Sequence, residues 1–409
     1  MSLRRPVALV NARVVTPHGL ADAIRFSSTV LDLYAPPRRH DVVVDVDGAF
    51  VLPGLINAHD HLELNHYGPQ RTRECYLHAD DWIADLAPRL QDNPAIRRGR
   101  GYPLRERLFV GGLKNLLAGV TTVAHHNPRY RELGARFPVR VLARYGWAHS
   151  LSMETRPVGA KGEPGGAVVA RCLSTPADRP FLVHAGEGVD ERARLELTRL
   201  AESGCLRANC VLVHGVAHTV DTWRTAVAAG TGLVWCPVSN EFLFGRTLPL
   251  RELLDAVPES SAFVCLGSDS RLTGARDLLD ELRRAKAIGQ LPDGLLLAMV
   301  TENASRLLRL PSAGCLAPGA PADLVVLPAP APDSRAEEAL LAARRRDVSL
   351  VVIDGRPGIG ALRMQPVFDA RRVRTRRVIV DGAERLASAD LVGRIESSPI
   401  GEAGVELGA

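Results

Sequence analysis

Residues 51–63 read Val-Leu-Pro-Gly-Leu-Ile-Asn-Ala-His59-Asp60-His61-Leu-Glu63. The apolar run is typical of a buried β-strand, and it ends in two histidines, His59 and His61. Side chains two residues apart on a strand point to the same side. Both imidazoles can therefore face one point in space, as ligands of a shared metal ion must.

Three later segments repeat this design, because each places a polar residue at the end of an apolar run. They are Phe181-Leu-Val-His184, Val211-Leu-Val-His214 and Phe263-Val-Cys-Leu-Gly-Ser-Asp269. Any one of them alone could be a core histidine or a turn capped by an aspartate. Together with His59 and His61 they occupy the same position at a strand end, so the sequence predicts one metal site built from distant segments.

Strand-like runs alternate with helical patterns through the middle of the chain, from about Leu104 to Ala287. This alternation predicts a parallel sheet, and the number of units favours a (β/α)₈ barrel, whose catalytic groups lie at the carboxyl ends of the strands. Seven barrel strands are evident. The eighth is expected at Tyr145-Gly-Trp-Ala-His149, ahead of a Gly- and Pro-rich stretch from Gly159 to Gly166 that is expected to form a loop.

Both ends of the chain contain short alternating runs typical of strands, such as Val42-Val-Val-Asp45 and Arg377-Val-Ile-Val-Asp-Gly382. We therefore expect residues 1–52 and 311–409 to build one accessory domain beside a barrel of residues 53–310. The small, polar tail from about Ser397 onward is expected to be frayed.

The composition is typical of a soluble globular enzyme, with 46% hydrophobic and 24% charged residues. No dense basic run with interleaved aromatics occurs, which disfavours nucleic-acid binding. No apolar stretch reaches membrane-spanning length, and the N-terminus lacks the apolar core of a signal peptide. The seven cysteines form no Cys-x-x-Cys pair, so a reducing cytoplasm is the expected compartment.

The strand-end residues have the chemistry of a catalytic metal site. His59, His61, His184 and Asp269 offer three nitrogens and one oxygen, a donor set that zinc and its neighbours accept. A divalent ion bound there lowers the pKa of a water ligand to about 7, which makes hydroxide available near neutral pH. Asp269 can ligate the ion and also accept a proton from the water.

Two further polar residues are expected to act beside this ion. Glu187 follows His184 by three residues, which places it at the rim of the same pocket, where it can carry a proton to the leaving group or to a ring nitrogen. His214 can orient the hydroxide or polarise the substituent on the scissile carbon. Other catalytic signatures are missing from the sequence, among them a Gly-x-Ser-x-Gly elbow, a phosphate-binding loop and a His-Glu-x-x-His motif.

These residues resemble the motifs of the amidohydrolase superfamily, and more narrowly of its cytosine deaminase and chlorohydrolase branch. The first-strand motif is Pro53-Gly-Leu-Ile-Asn-Ala-His59-Asp-His61. The later motifs are His184 with Glu187, His214, Cys236-Pro-Val-Ser239-Asn240, Gly267-Ser-Asp269 and Thr301-Glu-Asn-Ala-Ser-Arg-Leu-Leu. The resemblance covers nearly the whole chain.

The resemblance implies a distorted (β/α)₈ barrel and a small β-sandwich made from both termini. It also implies one divalent metal ion, with zinc as the first choice and iron as the alternative. The residues that it assigns to this ion are His59, His61, His184 and Asp269, with His214 nearby. It makes Glu187 the proton shuttle and places Ser239 and Asn240 on a substrate-side loop.

The positions of the lysines bear on whether the site is expected to hold one metal ion or two. Binuclear members of the family carry a carboxylated lysine at the end of the fourth strand. The chain has only Lys114, Lys161 and Lys286. Lys161 falls in the Gly- and Pro-rich stretch and the other two are expected on helices, which favours a single ion.

Polar residues after the first strand are expected to line the entrance and to contact a polar small-molecule substrate. They are Glu63, Asn65, His66, Tyr67, Arg71 and Trp82. His126 ends another strand, and we expect it either to line the pocket with them or to be structural.

The resulting hypothesis is a hydrolase in which metal-bound hydroxide attacks a carbon that carries nitrogen. Release of ammonia from a small nitrogen heterocycle or a cyclic amidine is the first choice. Amide or lactam hydrolysis and dechlorination use the same metal set and stay open. A non-catalytic binding protein is disfavoured, because every ligand is present. Homodimers are common in the family, but the sequence does not specify an oligomeric state.

Overall fold

The structure is a computed structural model that describes residues 5–134, 136–152 and 167–408. The described residues ahead of Leu55 form short strands. These are β1 Val7–Val10, β2 Arg13–Thr16, β3 Gly19–Ala21, β4 Ile24–Phe26, β5 Val30–Asp32, β6 Val42–Asp45 and β7 Phe50–Pro53. Four of them form a sheet in the order β5-β4-β1-β6.

Among the described residues, the strands between Leu55 and Leu266 pair with one another only in parallel. They are β8 Leu55–Asp60, β9 Val120–His125, β10 Arg140–Val141, β11 Gly146–Ala148, β12 Phe181–Ala185, β13 Cys210–His214, β14 Gly232–Trp235 and β15 Val264–Leu266. They form two sheets, ordered β10-β9-β8 and β11-β12-β13-β14-β15.

Helices connect and follow most of these strands. They are α1 Ala79–Asp92, α2 Pro94–Gly101, α3 Leu104–Leu117, α4 Ala167–Ser174, α5 Glu191–Glu202, α6 Val220–Ala228, α7 Pro237–Phe244, α8 Leu250–Ala256, α9 Leu278–Ile288, α10 Asp293–Met299 and α11 Glu302–Leu307. The alternation predicted from the sequence is therefore present, and the chain has an α/β fold.

The parallel strands are apolar because both of their faces are covered. Every residue of β12 and of β13 is buried, and such continuous apolar runs are typical of parallel strands. The register places Ala185 beside His214, so the carboxyl ends of the two strands lie at the same edge. His184 and His214 consequently meet there.

Main-chain hydrogen bonds bring the segment after β15 to the end of β8. The amide of Asp269 donates to the carbonyl of His59 at 3.1 Å, and the amide of Ile56 donates to the carbonyl of Val300 at 2.8 Å. Gly267 allows this approach, because a Cβ at that position would lie 2.6 Å from the Cβ of His59. The first and last predicted ligand segments are thus adjacent.

Two short strands, β10 and β11, lie in and just before the segment where the sequence predicts the eighth strand. β10 pairs with β9, and β11, at the position expected for the missing strand, pairs with β12. The loop predicted at Gly159 to Gly166, together with Lys161, lies outside the described residues.

The C-terminal part returns to the N-terminal strands. Its elements are β16 Leu324–Leu327, α12 Ala336–Ala342, β17 Leu350–Ile353, β18 Arg356–Gly360, α13 Gln365–Ala370, β19 Thr375–Val380, β20 Ala383–Ser388, α14 Ala389–Ser397 and β21 Val405–Leu407. One sheet, in the order β21-β19-β20-β18-β17-β16-β7-β2-β3, joins both ends of the chain. Phe26, Val51, Leu324 and Phe368 belong to one buried cluster, so the two ends also share a hydrophobic core.

The tail is ordered, contrary to the prediction that it frays from Ser397. Strand β21 pairs antiparallel with β19. Glu402 is only 5% exposed, and it accepts hydrogen bonds from the guanidinium groups of Arg271 and Arg345. The polar composition misled the prediction because strand pairing orders this segment, and because the Glu402 carboxylate is satisfied by guanidinium groups inside the protein rather than by water.

No helix that the structure describes combines the length and the apolar character needed to cross a membrane.

Candidate active site

The ends of β8, β12 and β13 bring four imidazoles together. His59, His184 and His214 offer ring nitrogens within 4.8 Å of one another, and His59 and His61 form a second such group with a carboxylate oxygen of Asp269. The Nε2 atoms of His61 and His184 lie 3.3 Å apart. The Nε2 atom of His59 is buried without a hydrogen-bond partner. Nitrogens that converge in this way suit a shared cation.

Burial keeps these four imidazoles neutral, because it is the largest cause that lowers the pKa of each one. Neutral imidazole is the form that binds a metal ion. Nδ1 of His184 lies 3.0 Å from the carbonyl oxygen of His149, and Nδ1 of His214 lies 2.8 Å from Oδ1 of Asn240. Since both oxygens are acceptors, each Nδ1 carries the proton and each Nε2 keeps a free lone pair.

Asp269 is held with one oxygen directed at the histidines. Its Oδ2 atom accepts hydrogen bonds from Ser239 at 2.8 Å and from Thr273 at 2.9 Å. Its Oδ1 atom lies 3.7 Å from Nε2 of His59 and 3.9 Å from Nε2 of His61. Burial opposes ionisation of Asp269, but its contact with His59 acts in the opposite direction, and the pKa of the carboxyl group lies well below its usual range. A carboxylate is therefore ready to act as a ligand or as a proton acceptor.

The backbone is strained at two of these positions. His214 has a φ of +74° and Asp269 a φ of +50°, in the left-handed region that residues with a Cβ rarely adopt. Such conformations cost about 1–3 kcal/mol each and cluster at functional sites. The two residues thus have the conformational signature of a site that the surrounding fold holds in place.

Glu187 lies beside the imidazole cluster, at the predicted pocket rim. Its Oε1 atom is 3.5 Å from Nε2 of His214. Burial raises the pKa of Glu187 well above its usual value, and the charges of Asp269 and Asp80 add to the effect. A raised pKa favours the protonated form of the carboxyl group, which can donate a proton to a bound molecule.

The site opens into a cavity of about 350 Å³, within the usual size range of small-molecule pockets. His61, His184, His214, Glu187 and Asp269 all contribute to its wall. The cavity is therefore where a substrate would meet the candidate ligands and the candidate proton donor.

Two of the predicted entrance residues line this cavity. Glu63 accepts a hydrogen bond from Asn127 at 2.5 Å, and burial raises its pKa to about 7. Trp82 also faces the cavity and donates its indole N–H to the carbonyl of Gln70 at 2.7 Å. The cavity thus combines a polar group able to hydrogen-bond with an aromatic surface.

The other predicted entrance residues point elsewhere. His66 lies 3.1 Å from the carbonyl of Gly99 and packs on Tyr67, and Arg71 donates to main-chain carbonyls while lying over the ring of Phe242. The chain after β8 forms a tight turn at residues 62–64, and His66 and Tyr67 beyond it contact α2 instead of the cavity. Asn65 is buried behind the site instead of at its entrance.

Three predicted substrate residues instead support the ligands from behind. His126 is fully buried, with Nδ1 at 3.3 Å from Nδ1 of His59 and Nε2 at 2.8 Å from the carbonyl of Ala148. Ser239 and Asn240 are fully buried and bond Asp269 and His214. Helix α7 starts directly after β14, so Ser239 and Asn240 in its first turn lie behind the ligands, and none of the three residues lines the cavity.

The sequence-based predictions did not include three other cavity residues. His78 is 2% exposed, and its Nδ1 accepts from the amide of Asp80 at the start of α1. Glu196 accepts from the amide of Gly186, and burial raises its pKa to about 8. His149 follows β11. The place of His149 at a strand end could have identified it from the sequence. The positions of His78 and Glu196 depend on how helices pack around the cavity, which the sequence does not show.

Of the three lysines, two are described, and both lie on helices as expected. Lys114 is on α3 and Lys286 is on α9. Lys114 donates to the main-chain carbonyl of Asp269, so its amino group acts as a hydrogen-bond donor in this structure. Neither residue occupies the strand end where a bridging carboxylated lysine would lie.

Comparison with known proteins gives three results. Residues 169–358 match the amidohydrolase family. The 5-methylthioadenosine/S-adenosylhomocysteine deaminase of Halobacterium salinarum is 28% identical over 372 residues, which cover 77% of this chain and 82% of that protein.

Two solved structures share the fold. A triazine hydrolase from Arthobacter aurescens has a TM-score of 0.68, with 20% identity over 90% of this chain and 98% of that one. A zinc-bound adenosine deaminase from Xanthomonas campestris has a TM-score of 0.64, with 19% identity over 90% and 97%.

Proposed function

We propose that the chain is a member of the amidohydrolase superfamily, and that it is a metal-dependent aminohydrolase that releases ammonia from a small nitrogen heterocycle or cyclic amidine. The observation that carries the proposal is the position of Glu187, whose carboxyl group lies beside His214 at the wall of the cavity and has a pKa raised by burial. Hydrolysis of a C–N bond needs a proton for the departing nitrogen, and Glu187 is placed to supply it.

The donor set fits one divalent cation, with zinc as the first choice and iron as the alternative. His59, His61 and His184 contribute imidazole nitrogens, and Asp269 contributes an oxygen. The unpartnered Nε2 atom of His59 supports the assignment, because a buried ring nitrogen without a partner is costly unless an ion occupies it. A zinc ion held there would act as a Lewis acid that lowers the pKa of a water to about 7.

The protein groups around this position divide the proton transfers between them. Asp269 is ionised and can accept a proton from the attacking water. His214 keeps a free Nε2, because Asn240 holds the opposite side of its ring, and it can orient the water or the substituent on the scissile carbon. Glu187 protonates the ring nitrogen or the leaving amine, and Glu63 and Trp82 contact the rest of the substrate.

For the architecture we propose that the two parallel sheets close into a distorted (β/α)₈ barrel of residues 53–310. The hydrogen bond from Asp269 to the carbonyl of His59 supports closure, because it joins the last strand segment to the first. Residues 1–52 and 311–409 would form the accompanying β-sandwich, which the sheet shared by both ends of the chain supports.

The proposal predicts ammonia release from at least one amino-heterocycle in a panel of adenosine, 5-methylthioadenosine, S-adenosylhomocysteine, cytosine and a chlorotriazine. The first three are included because the relatives carry their names. Ammonia should appear in equal amount to the hydroxylated product, and treatment with a chelator such as 1,10-phenanthroline should abolish it.

The rival activities give different products. Chloride release from the chlorotriazine, or amine and carboxylate from an amide or lactam, with no ammonia from any amino-heterocycle would contradict the proposal. Two controls accompany the assay. Heat-treated protein should be inactive, and chelator-treated protein should regain activity when zinc is supplied again.

A further inference from the structure

Lys114 is buried completely, directly behind the candidate metal centre. From the last turn of α3, its Nζ atom donates to Oδ1 of Asn65 at 2.8 Å and to the main-chain carbonyl of Asp269 at 2.9 Å, and it lies 3.2 Å from Oδ2 of Asp60. An ammonium group has three donors, and each has an oxygen partner here. Lysine is almost never fully buried unless it is paired, so these three oxygen partners are what allows Lys114 to be buried here.

Asp60 is the counter-ion, and its position in the chain directs it away from the cavity. It stands between His59 and His61 on β8, so its side chain points to the opposite face of the strand. Its carboxylate also accepts from the side-chain amides of Asn65 and Asn115, both at 2.8 Å. The ion pair therefore ties the strand that carries two candidate ligands to helix α3.

The contact with Asp269 involves its main chain rather than its carboxylate. The amide of Asp269 donates to the carbonyl of His59, and its carbonyl accepts from Lys114. Between these two bonds the residue has a φ of +50°, in the left-handed region, which aspartate adopts more readily than most residues other than glycine but still as the less common conformation. The hydrogen bond from Lys114 is thus one of the interactions that hold Asp269 in this conformation.

We infer that Lys114 is a positioning residue that fixes the main chain of Asp269, and through it the direction of the Asp269 carboxylate, and so sets the affinity of the site for its metal ion. The inference rests on the metal site of the proposed function and assigns a role to a side chain that does not touch the ion. The competing explanation is that the Lys114–Asp60 pair serves stability alone.

A matched pair elsewhere in the chain separates the two explanations. Arg25 and Asp41 form a second buried ion pair, with a contact of 2.6 Å and side chains that are 5% and 2% exposed. This pair lies among the N-terminal strands, and within the described part of the chain no hydrogen bond or ion pair joins it to the candidate ligands. Asp41→Asn therefore serves as a control that loses a buried ion pair and leaves the metal site alone.

The test compares zinc affinity, by competition with a chromophoric chelator, in wild-type protein, Lys114→Met and Asp41→Asn. We expect Lys114→Met to weaken zinc binding by about 10- to 100-fold, the usual effect of removing a group that supports a ligand. Asp41→Asn should lower the melting temperature but keep the wild-type zinc affinity. With cobalt as the probe, only Lys114→Met should change the visible absorption, because that spectrum reports the geometry of the ligands.

Lys114→Met leaves the Asp60 carboxylate without its cation and can fail to fold, so the double variant Lys114→Met/Asp60→Asn is measured beside it. That variant has no unpaired buried charge but still lacks the bond to the Asp269 carbonyl, and it should bind zinc as weakly. Wild-type zinc affinity in either folded variant would overturn the inference while leaving the proposed function intact. A wild-type protein that binds no zinc would overturn the metal site itself, and the inference with it.

Discussion

A Glu187→Gln variant is expected to keep its metal ion and to lose about 10²- to 10⁴-fold in kcat, the usual contribution of a general acid or base. Glutamine preserves the shape of the side chain and its contact with His214. It cannot donate an acidic proton, whereas burial raises the pKa of Glu187 and so favours the protonated form of its carboxyl group. The measurements are the metal content of the purified variant and its steady-state rate of ammonia release.

Glu191→Gln is the matched control for this variant. Glu191 lies four residues further on, with a side chain that is 70% exposed, so its rate and its metal content should equal those of the wild type. Full activity in Glu187→Gln would refute the role assigned to the carboxyl group. Loss of the metal ion in that variant would show instead that Glu187 supports the ligands.

A His59→Ala variant should lose both the metal ion and the activity. Its ring is common to the two groups of potential ligands, and its Nε2 atom has no other partner. A metal ion supplies several kcal/mol of stabilisation to the transition state, so its loss should cost at least about a thousandfold in rate. Elemental analysis and the ammonia assay, run on the same preparation, give the two quantities.

His218→Gln is the control for removal of a buried imidazole as such. His218 is 5% exposed, and its Nδ1 lies 3.0 Å from Oγ1 of Thr222, away from the ligands. This variant should retain the metal ion and the rate even if it is less stable. Stoichiometric metal in His59→Ala, with unchanged turnover, would contradict the donor set.

The strand-end residues could be predicted from sequence because their position follows from local pattern. The period of a strand puts His59 and His61 on one side, and the polarity of a parallel sheet puts the strand ends of His184 and His214 at one edge. Both rules act within a few residues, so they hold before any tertiary contact is known. They identified the residues that the structure brings together.

The remaining residues depend on contacts between distant segments, which a single sequence does not specify. Ser239 and Asn240 belong to a motif of the site, but the motif does not say whether they face the cavity or support the ligands. Lys114 and Glu402 are charged residues that composition assigns to the surface. Both are buried, because partners far away in the chain satisfy their charges.

The most direct test of the account is a crystal structure of the zinc-loaded protein with anomalous data collected at the zinc edge. We predict a single anomalous peak, with Nε2 of His59, His61 and His184 and a carboxylate oxygen of Asp269 at about 2.0–2.2 Å from the ion. No peak at that position, or ligands other than these four residues, would contradict the central claim that these strand ends form one catalytic metal site.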